Sequence, residues 1–429
     1  MCSATIKSLN QEIGRENLEH PLSKQNPLPI GYHFHSQYWQ FREQLFSDGA
    51  NYIGHELMVP NVGDYRVLET MNDQYILLRR DDGTCVMLSN ICRHQQARLI
   101  DPKNRPYDKI QRPNGDHRSG NLKSLNRAGF LICPIHRWSY KLDGKVHHAP
   151  KFGPHPNLCL PVIELQSWNG LLFHTQRDIA SDMSQLGHSG YFNPNLIDMC
   201  NYVYVGSDEP VHYEFSWEKF ITVYLDLYHV APYHPKTFVQ IIDCHDFKWE
   251  FSDRYNVQIA GWSSLSPPPS SKELAYGKIR TLINKHYTGA EPPHGALWLL
   301  LFPGVMIEWY PHVLVISILR PLTYETCVNY VEYYAPKDWY HSSDLKYEQK
   351  ILKDAKHAYQ LSAVEDMEIC QTMQDSYRTM WDSGEHFIGP FHPHLELGTN
   401  HFFKYVHNEW EAKYNSAIAD IKKHEYLGL

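Results

Sequence analysis

The chain has 429 residues, 42% of them hydrophobic, and a formal net charge of −8. This length allows two or three domains, and the acidic balance argues against a nucleic-acid-binding protein. Nine cysteines without a regular framework indicate a reduced, cytoplasmic protein. Residues 1–7 have no apolar core and the longest apolar stretch, residues 296–302, is short, so we expect neither a signal peptide nor a membrane span.

Short strands dominate the first part of the chain. Three are predicted in close succession, at residues 64–70, 75–80 and 85–88. The sequence Asp-Asp-Gly at residues 81–83 predicts a hairpin turn between the last two. A further strand is predicted at residues 170–175. This pattern indicates a small antiparallel β domain that ends near residue 178.

Two pairs of potential metal ligands lie in this β region. Cys92 and His94 are two residues apart and Cys133 and His136 are three apart, so each pair must lie on one tight loop. Two facing loops would supply two thiolates and two imidazoles, the ligand set of a Rieske [2Fe–2S] cluster. A structural zinc site is an alternative, but it usually groups Cys with Cys and His with His. The mixed pairs favour the cluster over zinc or coincidence.

Residues 101–128 have the character of an insertion between these two loops. They contain seven basic and three acidic residues. A solvated polar loop is the favoured interpretation. The alternative is a docking surface for an acidic electron-donor protein or a neighbouring subunit, stabilised by charge complementarity.

The second half of the chain combines strands and helices. A helical segment is predicted from Val211 towards His229, and one long helix over residues 345–381. Residues 247–262 and 296–334 are rich in β-branched and aromatic residues, which predicts several strands. Strands followed by helices indicate an α+β domain.

A second metal site is predicted around His229 and His234. Two His and one carboxylate on one face can hold Fe(II) and leave positions open for O2. On a regular helix the two imidazoles, five residues apart, would diverge by about 140°, but Pro232 between them can break the helix. Two unrelated core or surface histidines are the alternative. Asp226, three residues before His229, could accept the free imidazole N–H and orient that ligand.

The carboxylate ligand is predicted on the long C-terminal helix, where Glu365, Asp366 and Glu368 cluster. Asp366 shares its helix face with three apolar residues, Ile369, Cys370 and Met373. A carboxylate on a buried face needs a partner, and a metal ion is one. Glu368 shares its face with polar residues, as on a solvated surface. The sequence therefore predicts Asp366 as the third iron ligand.

These motifs resemble those of the large (alpha) subunits of the Rieske non-haem iron oxygenases, the aromatic-ring-hydroxylating dioxygenase family. The family pattern C-P-x-H-x-W-x-Y/F-x-x-D-G matches residues 133–144, and E-D-x-x-x-C-x-x-x-Q matches residues 365–374. The first loop departs from the pattern, because Gln95 and Gln96 stand where the family usually has Arg and Gly. Respiratory-chain Rieske proteins carry a disulfide between these loops; the positions of its two cysteines are Ala97 and Ile135 here.

The resemblance implies one [2Fe–2S] cluster and one Fe(II) per subunit. It also implies an antiparallel β Rieske domain at residues 45–178 and a START-like helix-grip catalytic domain at residues 179–429, with residues 1–44 packing on the latter. Electrons would come from NAD(P)H through a separate reductase, with or without a ferredoxin, since the sequence has no dinucleotide-binding fingerprint. In a homotrimer, with or without a small beta subunit, Asp226 would bridge to His136 of a neighbouring protomer.

The implied function is that of a terminal oxygenase that uses O2 to mono- or cis-dihydroxylate a small organic compound. The catalytic half is rich in aromatic residues, which could stack on an arene or bind a quaternary ammonium group; they include Trp262, Trp298, Trp309 and Tyr310. Family members acting on trimethylammonium substrates often have Glu at the position of Asp226. An aromatic substrate and a role in aromatic hydrocarbon catabolism are therefore favoured. The alternatives are a monooxygenase or demethylase of quaternary ammonium or N-/O-methyl compounds, an electron carrier without oxygenase activity, and a zinc-stabilised binding protein.

Overall fold

The computed structural model describes residues 36–102, 118–125, 128–154, 156–234, 241–263, 275–288, 290–340, 345–384 and 389–426. The described residues form two compact units. The smaller unit comprises residues 50–184 and 198–206, and the larger one comprises residues 36–49, 185–197 and 207–426. Most of the predicted insertion at 101–128 and of the N-terminal segment 1–44 lies outside the described residues.

The smaller unit is built from short antiparallel strands in three sheets, ordered β5-β2-β3-β4-β9, β1-β11-β10 and β6-β7-β8. Its strands are β1 (Tyr52–His55), β2 (Asp64–Val67), β3 (Tyr75–Arg79), β4 (Cys85–Ser89), β5 (Ser119–Asn121), β6 (Leu131–Ile132), β7 (Ser139–Tyr140), β8 (Val146–His148), β9 (Val162–Glu164), β10 (Gln166–Trp168) and β11 (Leu171–Phe173). Two one-turn helices, named α2 (Leu122–Leu125) and α3 (Ile179–Asp182), complete it, and β12 (Tyr202–Ser207) follows in the chain.

The predicted strands of this unit are confirmed as β2, β3, β4 and β11. The strand β2 is three residues shorter than predicted, because the chain enters a 3-10 turn at Glu69–Met71. The predicted hairpin turn is present: Gly83 has a φ of 84°, and the Arg80 N–H donates to the Thr84 carbonyl at 2.8 Å. A positive φ is accessible to glycine without steric cost, which explains the turn sequence.

The larger unit has an antiparallel sheet with strands in the order β19-β18-β17-β16-β15-β14, and β13 also pairs with β19. Its strands are β13 (Val211–Tyr213), β14 (Ile242–Ser252), β15 (Tyr255–Trp262), β16 (Ala296–Leu301), β17 (Val305–Tyr310), β18 (Val313–Pro321) and β19 (Cys327–Pro336). Its helices are α1 (Ser36–Ser47), α4 (Trp217–Tyr224), α5 (Val230–Tyr233), α6 (Ala275–His286), α7 (Lys337–Tyr340), α8 (Leu345–Ser383) and α9 (Leu397–Tyr426).

The central strands of this sheet are buried on both faces, and the long helix α8 packs on α4, α6 and the sheet. The α+β fold class is confirmed, as are the strands predicted within residues 247–262 and 296–334 and the helix predicted at 345–381. Residues paired directly across strands share a sheet face. One such row crosses β16, β17, β18 and β19 on the face turned to α8, and it consists of Trp298, Glu308, Val315 and Tyr333.

The helix predicted from Val211 onwards is wrong at its start. Residues Val211–Tyr213 form β13, which pairs with β19, and the helix begins only at Trp217 after the N-cap Ser216. The β-branched and aromatic side chains in β13 fit a pleated sheet edge better than a helix. A buried ion pair then holds α4 in place, since Arg42 of α1 donates to Glu218 at 3.1 Å and both side chains are at most 1% exposed.

Candidate metal centres

The two predicted cluster loops have nearly the same backbone geometry. In the first, the Cys92 N–H donates to the Ala97 carbonyl at 2.9 Å and the Gln96 N–H to the Cys92 carbonyl at 3.1 Å. In the second, the corresponding bonds run from Cys133 to the Trp138 carbonyl at 2.7 Å and from Arg137 back to the Cys133 carbonyl at 3.2 Å. Each loop therefore presents its Cys at an equivalent position, with the His two residues later in one loop and three in the other.

A left-handed residue closes each loop. Gln96 has a φ of 53° and Arg137 a φ of 64°. For a non-glycine residue this conformation costs about 1–2 kcal/mol. The resemblance places a Gly at the position of Gln96 in other members, and the structure gives the physical reason for that Gly. This chain keeps the loop geometry without it.

The four side chains converge between the loops. The His94 and His136 rings are 4.7 Å apart between centroids, and His94 stacks on Trp138 at 5.1 Å with an interplanar angle of 3°. Cys92 and Cys133 are 1% and 2% exposed. Burial, together with the neighbouring Cys92 thiol, raises the pKa of Cys133. A cationic iron centre would favour its thiolate form.

The chemistry of this donor set fits a [2Fe–2S] cluster. The Nδ1 atom of His94 is buried and has no hydrogen-bond partner in the described part of the chain, as a metal-binding nitrogen would be without its ion. The Tyr140 hydroxyl lies 3.3 Å from Cys92 Sγ and accepts the Arg93 N–H at 3.1 Å. Such contacts around a ligating sulfur tune the potential of an iron–sulfur centre.

The second predicted centre is equally compact. Asp366 Oδ1 of α8 lies 3.2 Å from His229 Nε2 and 2.8 Å from His234 Nε2, and the two imidazole nitrogens are 3.2 Å apart. The three donor atoms thus lie within 4.8 Å of one another. Two imidazoles and one carboxylate on one face are the donor set of non-haem Fe(II) oxygenases.

The two histidines converge for a reason other than the predicted helix break. They flank a single helical turn, α5, with His229 before its first residue and His234 after its last. Pro232 lies inside this turn, at a position whose N–H would have no helical partner, so it does not interrupt the helix. The chain leaves the helix at His234, whose φ and ψ of −109° and 42° turn the imidazole back towards His229.

Each imidazole also meets a carboxylate on its far side. His229 Nδ1 lies 3.2 Å from Asp226 Oδ2, and His234 Nδ1 lies 2.6 Å from Glu365 Oε2. Asp226 stands on the turn after α4 rather than on the predicted helix face. Outer partners of this kind fix the tautomer and ring orientation of metal-binding histidines. The role of Glu365 was missed from the sequence, where it was considered only as a ligand candidate.

Electrostatics support a cation at this centre. Burial lowers the pKa of His229, but contacts with Asp226 and Asp366 outweigh it and raise that pKa to about 9. Burial raises the pKa of Asp366, but the two histidines lower it overall. Burial lowers the pKa of His234 as well, but contacts with Asp366 and Glu365 outweigh it and raise that pKa. The carboxylates around both imidazoles therefore favour positive charge at this centre, which a divalent metal ion can supply.

The triad lies in the wall of a pocket that encloses about 740 Å³, including its open mouth. The lining comes from α4 and the turn after it, from β15, β16 and β17, and from α8. Of the four aromatic residues considered from the sequence, Trp298 and Tyr310 line this pocket. Trp309 points to the opposite sheet face, and Trp262 packs against Arg280.

Two family models match the chain. Residues 51–168 match the Rieske [2Fe-2S] domain, and residues 201–411 match the ring hydroxylating alpha subunit (catalytic domain). Over 391 residues the chain is 34% identical to the putrescine 2-hydroxylase of Ralstonia nicotianae, which covers 89% of this chain and 94% of that enzyme. The chain belongs to the Rieske non-haem iron oxygenases. It is an oxidoreductase that uses a Rieske [2Fe–2S] cluster and a mononuclear iron.

Solved structures of this family agree with the fold. A quaternary ammonium Rieske monooxygenase superposes with a TM-score of 0.64 at 13% identity, over 90% of this chain and 95% of that one. Naphthalene 1,2-dioxygenase from Rhodococcus superposes equally well, with a TM-score of 0.64 at 13% identity over 94% and 97%. The overall fold thus does not separate amine substrates from arenes. Members of the family work with electron-transfer partners and in oligomers.

In the described residues, no helix is both long and apolar enough to cross a bilayer.

Proposed function

We propose that this chain is the terminal oxygenase of a multicomponent monooxygenase that hydroxylates a small aliphatic amine. The main support is the triad of His229, His234 and Asp366 in the wall of a largely apolar pocket. The relative with 34% identity over nearly its full length acts on putrescine, and this supports an amine substrate. The aromatic substrate and the aromatic catabolism favoured from the sequence find no such support, so the monooxygenase alternative replaces them.

The proposed ligand assignment follows the geometry. Cys92 and Cys133 would hold one iron of the cluster, His94 and His136 the other, and the triad the Fe(II). When bound, the cluster supplies single electrons and the Fe(II), with open positions, supplies the activation of O2. Apolar side chains around the pocket exclude water from this chemistry; they include Phe220, Val223, Leu227 and Met367.

Asp226 is proposed to link two protomers. His136 is exposed on its loop, and the Asp226 side chain, which orients His229, is 19% exposed. A homotrimer that places His136 of one protomer against Asp226 of the next would join the two centres by hydrogen bonds. The electron source would be NAD(P)H through a separate reductase, with or without a ferredoxin.

The proposed division of the chain assigns residues 45–178 to the Rieske domain and residues 179–429 to the catalytic domain. The N-terminal segment 1–44 would pack on the latter. In support, Tyr38 and Phe41 of α1 contact Trp410 of α9 at 6.0 and 5.1 Å between ring centroids.

The test is product analysis with a surrogate reductase, NADH and 18O2. The substrate panel contains putrescine, butylamine, carnitine and naphthalene. We expect one labelled oxygen in an amine product and no cis-diol from naphthalene. Oxidation of naphthalene alone would refute the proposal.

Iron quantitation tests the alternative of a pure electron carrier. The oxygenase should hold about three irons per chain, two in the cluster and one at the triad. A chain that holds only the two cluster irons, and turns over none of the four compounds, would be an electron carrier.

A further inference from the structure

One buried carboxylate in the pocket wall takes no part in the metal centres. Glu308 lies in the middle of β17, whose other five residues are apolar or aromatic, and it is only 4% exposed. Within the described part of the chain no arginine, lysine or histidine forms an ion pair with it. Burial raises the pKa of Glu308 to about 7, although hydrogen bonds to its carboxylate oppose the shift. A buried carboxylate without a counter-charge is costly, so its presence calls for a partner from outside.

Two tyrosines aim the Glu308 carboxylate into the pocket. The Tyr310 hydroxyl donates to Oε2 and the Tyr359 hydroxyl donates to Oε1, each at 2.9 Å. The Tyr310 hydroxyl in turn accepts the Trp298 indole N–H at 2.9 Å, which orients its proton towards Glu308. An ionised carboxylate has about four acceptor sites, so each oxygen keeps one for a ligand. An ammonium group has three donors and no acceptor, and it complements these free sites.

The same wall contains aromatic rings and two further polar atoms that lack a partner. Trp298, Tyr310 and Tyr359 line the pocket around Glu308 and can stabilise a cation over their faces. The Tyr224 hydroxyl and the Gln258 Oε1 are buried, line the pocket and have no hydrogen-bond partner among the described residues. The Gln258 amide is held by its Nε2 donating to the Tyr224 carbonyl at 2.9 Å, which leaves Oε1 as an acceptor for a ligand.

The helix α8 sets the distance between this wall and the metal triad. Tyr359 and Asp366 are seven residues apart, so they share a helix face and lie about 10 Å apart along its axis. Ser362 and Ala363 lie between them on the pocket side. Because both side chains are small, the space between Glu308 and the triad stays open for a short carbon chain.

We propose that Glu308, positioned by Tyr310 and Tyr359, binds the ammonium group of the substrate and thereby selects the carbon that faces the metal triad. This inference rests on the proposed amine hydroxylase function and assigns its substrate-binding residue. A substrate would place one ammonium group at Glu308 and its carbon chain along Ser362 and Ala363. Hydroxylation would then occur at a carbon whose distance from the anchored nitrogen matches the gap along α8.

The experiment compares Glu308→Gln with the wild type, both loaded with cluster and iron. Glutamine keeps the size and a hydrogen bond to a tyrosine but removes the charge. Hydrogen bonds to a charged group are stronger than those between neutral groups. Because the variant loses the charge, we expect the KM and Kd for putrescine and butylamine to rise about 10- to 100-fold. The position of the hydroxyl in the product should also become less uniform, which loss of stability alone would not cause.

A matched control is available on β19, which is separated from β17 by β18 in the same sheet. Glu332 has the same Glu-x-Tyr pattern, accepts the Tyr334 hydroxyl at 3.0 Å, and is 8% exposed. Glu332 pairs with Ile316, whereas Glu308 pairs with Val315. Because successive residues of a strand point to opposite faces, Glu332 faces the other side of the sheet. Glu332→Gln should leave KM and product position unchanged. If Glu308→Gln does not fold, Tyr359→Phe, which keeps the ring and loses one hydrogen bond, should raise KM about 3- to 10-fold.

The outcomes separate this inference from the function on which it rests. If the wild type hydroxylates no amine, the proposed function and the ammonium site both fail. If the wild type hydroxylates putrescine, and the Glu308→Gln and Tyr359→Phe variants match its KM and product position within about two-fold, the function stands and the ammonium site is refuted.

Discussion

Replacing Glu308 by glutamine should stabilise the protein without substrate, and more strongly at alkaline pH than at pH 5. The pKa of Glu308 is about 7 in the folded protein, against an ordinary value of 4.5. Between these two values the folded protein keeps a proton that the unfolded chain has lost. By linkage, the free energy of unfolding therefore falls as pH rises through this window, and it stays low above pH 7.

The size of the effect follows from the two pKa values. A shift of one pKa unit corresponds to about 1.4 kcal/mol. The charge on Glu308 should therefore cost about 3 kcal/mol at pH 8.5 and about 1 kcal/mol at pH 5. Glutamine resembles the protonated side chain and avoids this cost. For a unit of about 250 residues, the melting temperature of the variant should exceed that of the wild type by about 6 °C at pH 8.5 and about 2 °C at pH 5.

The assay is differential scanning calorimetry of the metal-loaded wild type and Glu308→Gln at both pH values and one scan rate. Saturating putrescine should stabilise the wild type more than the variant, because only the wild type offers the carboxylate. A difference in melting temperature that is equal at pH 5 and pH 8.5 would show that burial does not raise the pKa of Glu308.

Three further substitutions test the metal centres. Asp366→Asn should remove the mononuclear iron, about one third of the total iron, and keep the visible absorption of the cluster; full iron content would contradict the ligand role. Asp226→Ala should abolish turnover and leave cluster absorption and iron content unchanged, so persisting turnover would argue against the link between protomers. Glu365→Gln should weaken Fe(II) binding in equilibrium dialysis about 10- to 100-fold, because His234 loses its orienting partner. The neighbouring Glu368→Gln is its control and should bind iron like the wild type.

The local patterns of the sequence predicted much of the fold. The Asp-Asp-Gly turn and the strands around it follow from the φ that Gly83 adopts and from strand propensity. The strand at Val211–Tyr213 was missed because its conformation depends on pairing with β19, more than a hundred residues away. Such long-range pairing overrides local preference and leaves no periodic signal in a segment of three residues.

The sequence predicts which residues form the candidate iron site, but not the backbone conformation that brings them together. The structure brings His229, His234 and Asp366 together, yet the convergence comes from a one-turn helix with Pro232 inside it. A proline in the first turn of a helix and a proline that breaks a helix look the same in one sequence. The partner of His234, Glu365, could not be separated from the ligand candidates until the direction of α8 side chains was known.

The sequence around Glu308 indicates a functional position, although Glu308 is not among the residues predicted from the sequence. A single acidic residue stands within Val-Met-Ile-Glu-Trp-Tyr, a run that otherwise suits a fully buried strand. Charged residues are rarely buried without a partner, so this position already pointed to a ligand, a metal or an ion pair. Only the structure distinguishes them, because it places the metal triad elsewhere and finds tyrosine hydroxyls rather than a cation around the carboxylate.

The charges around the pocket provide an argument for a cationic substrate that is independent of any relative. Four carboxylates lie in the wall of the pocket or contact a histidine of that wall, and they are Asp226, Glu308, Glu365 and Asp366. A bound Fe(II) would balance two of them, which leaves about two negative charges when the imidazoles are neutral and Glu308 is ionised, as it is above its pKa of about 7. At about 10 Å and an effective dielectric constant of about 20, each such charge stabilises a cation by about 1.7 kcal/mol. A neutral arene gains nothing from this field, whereas a protonated amine gains more than ten-fold in affinity from a single carboxylate at that distance.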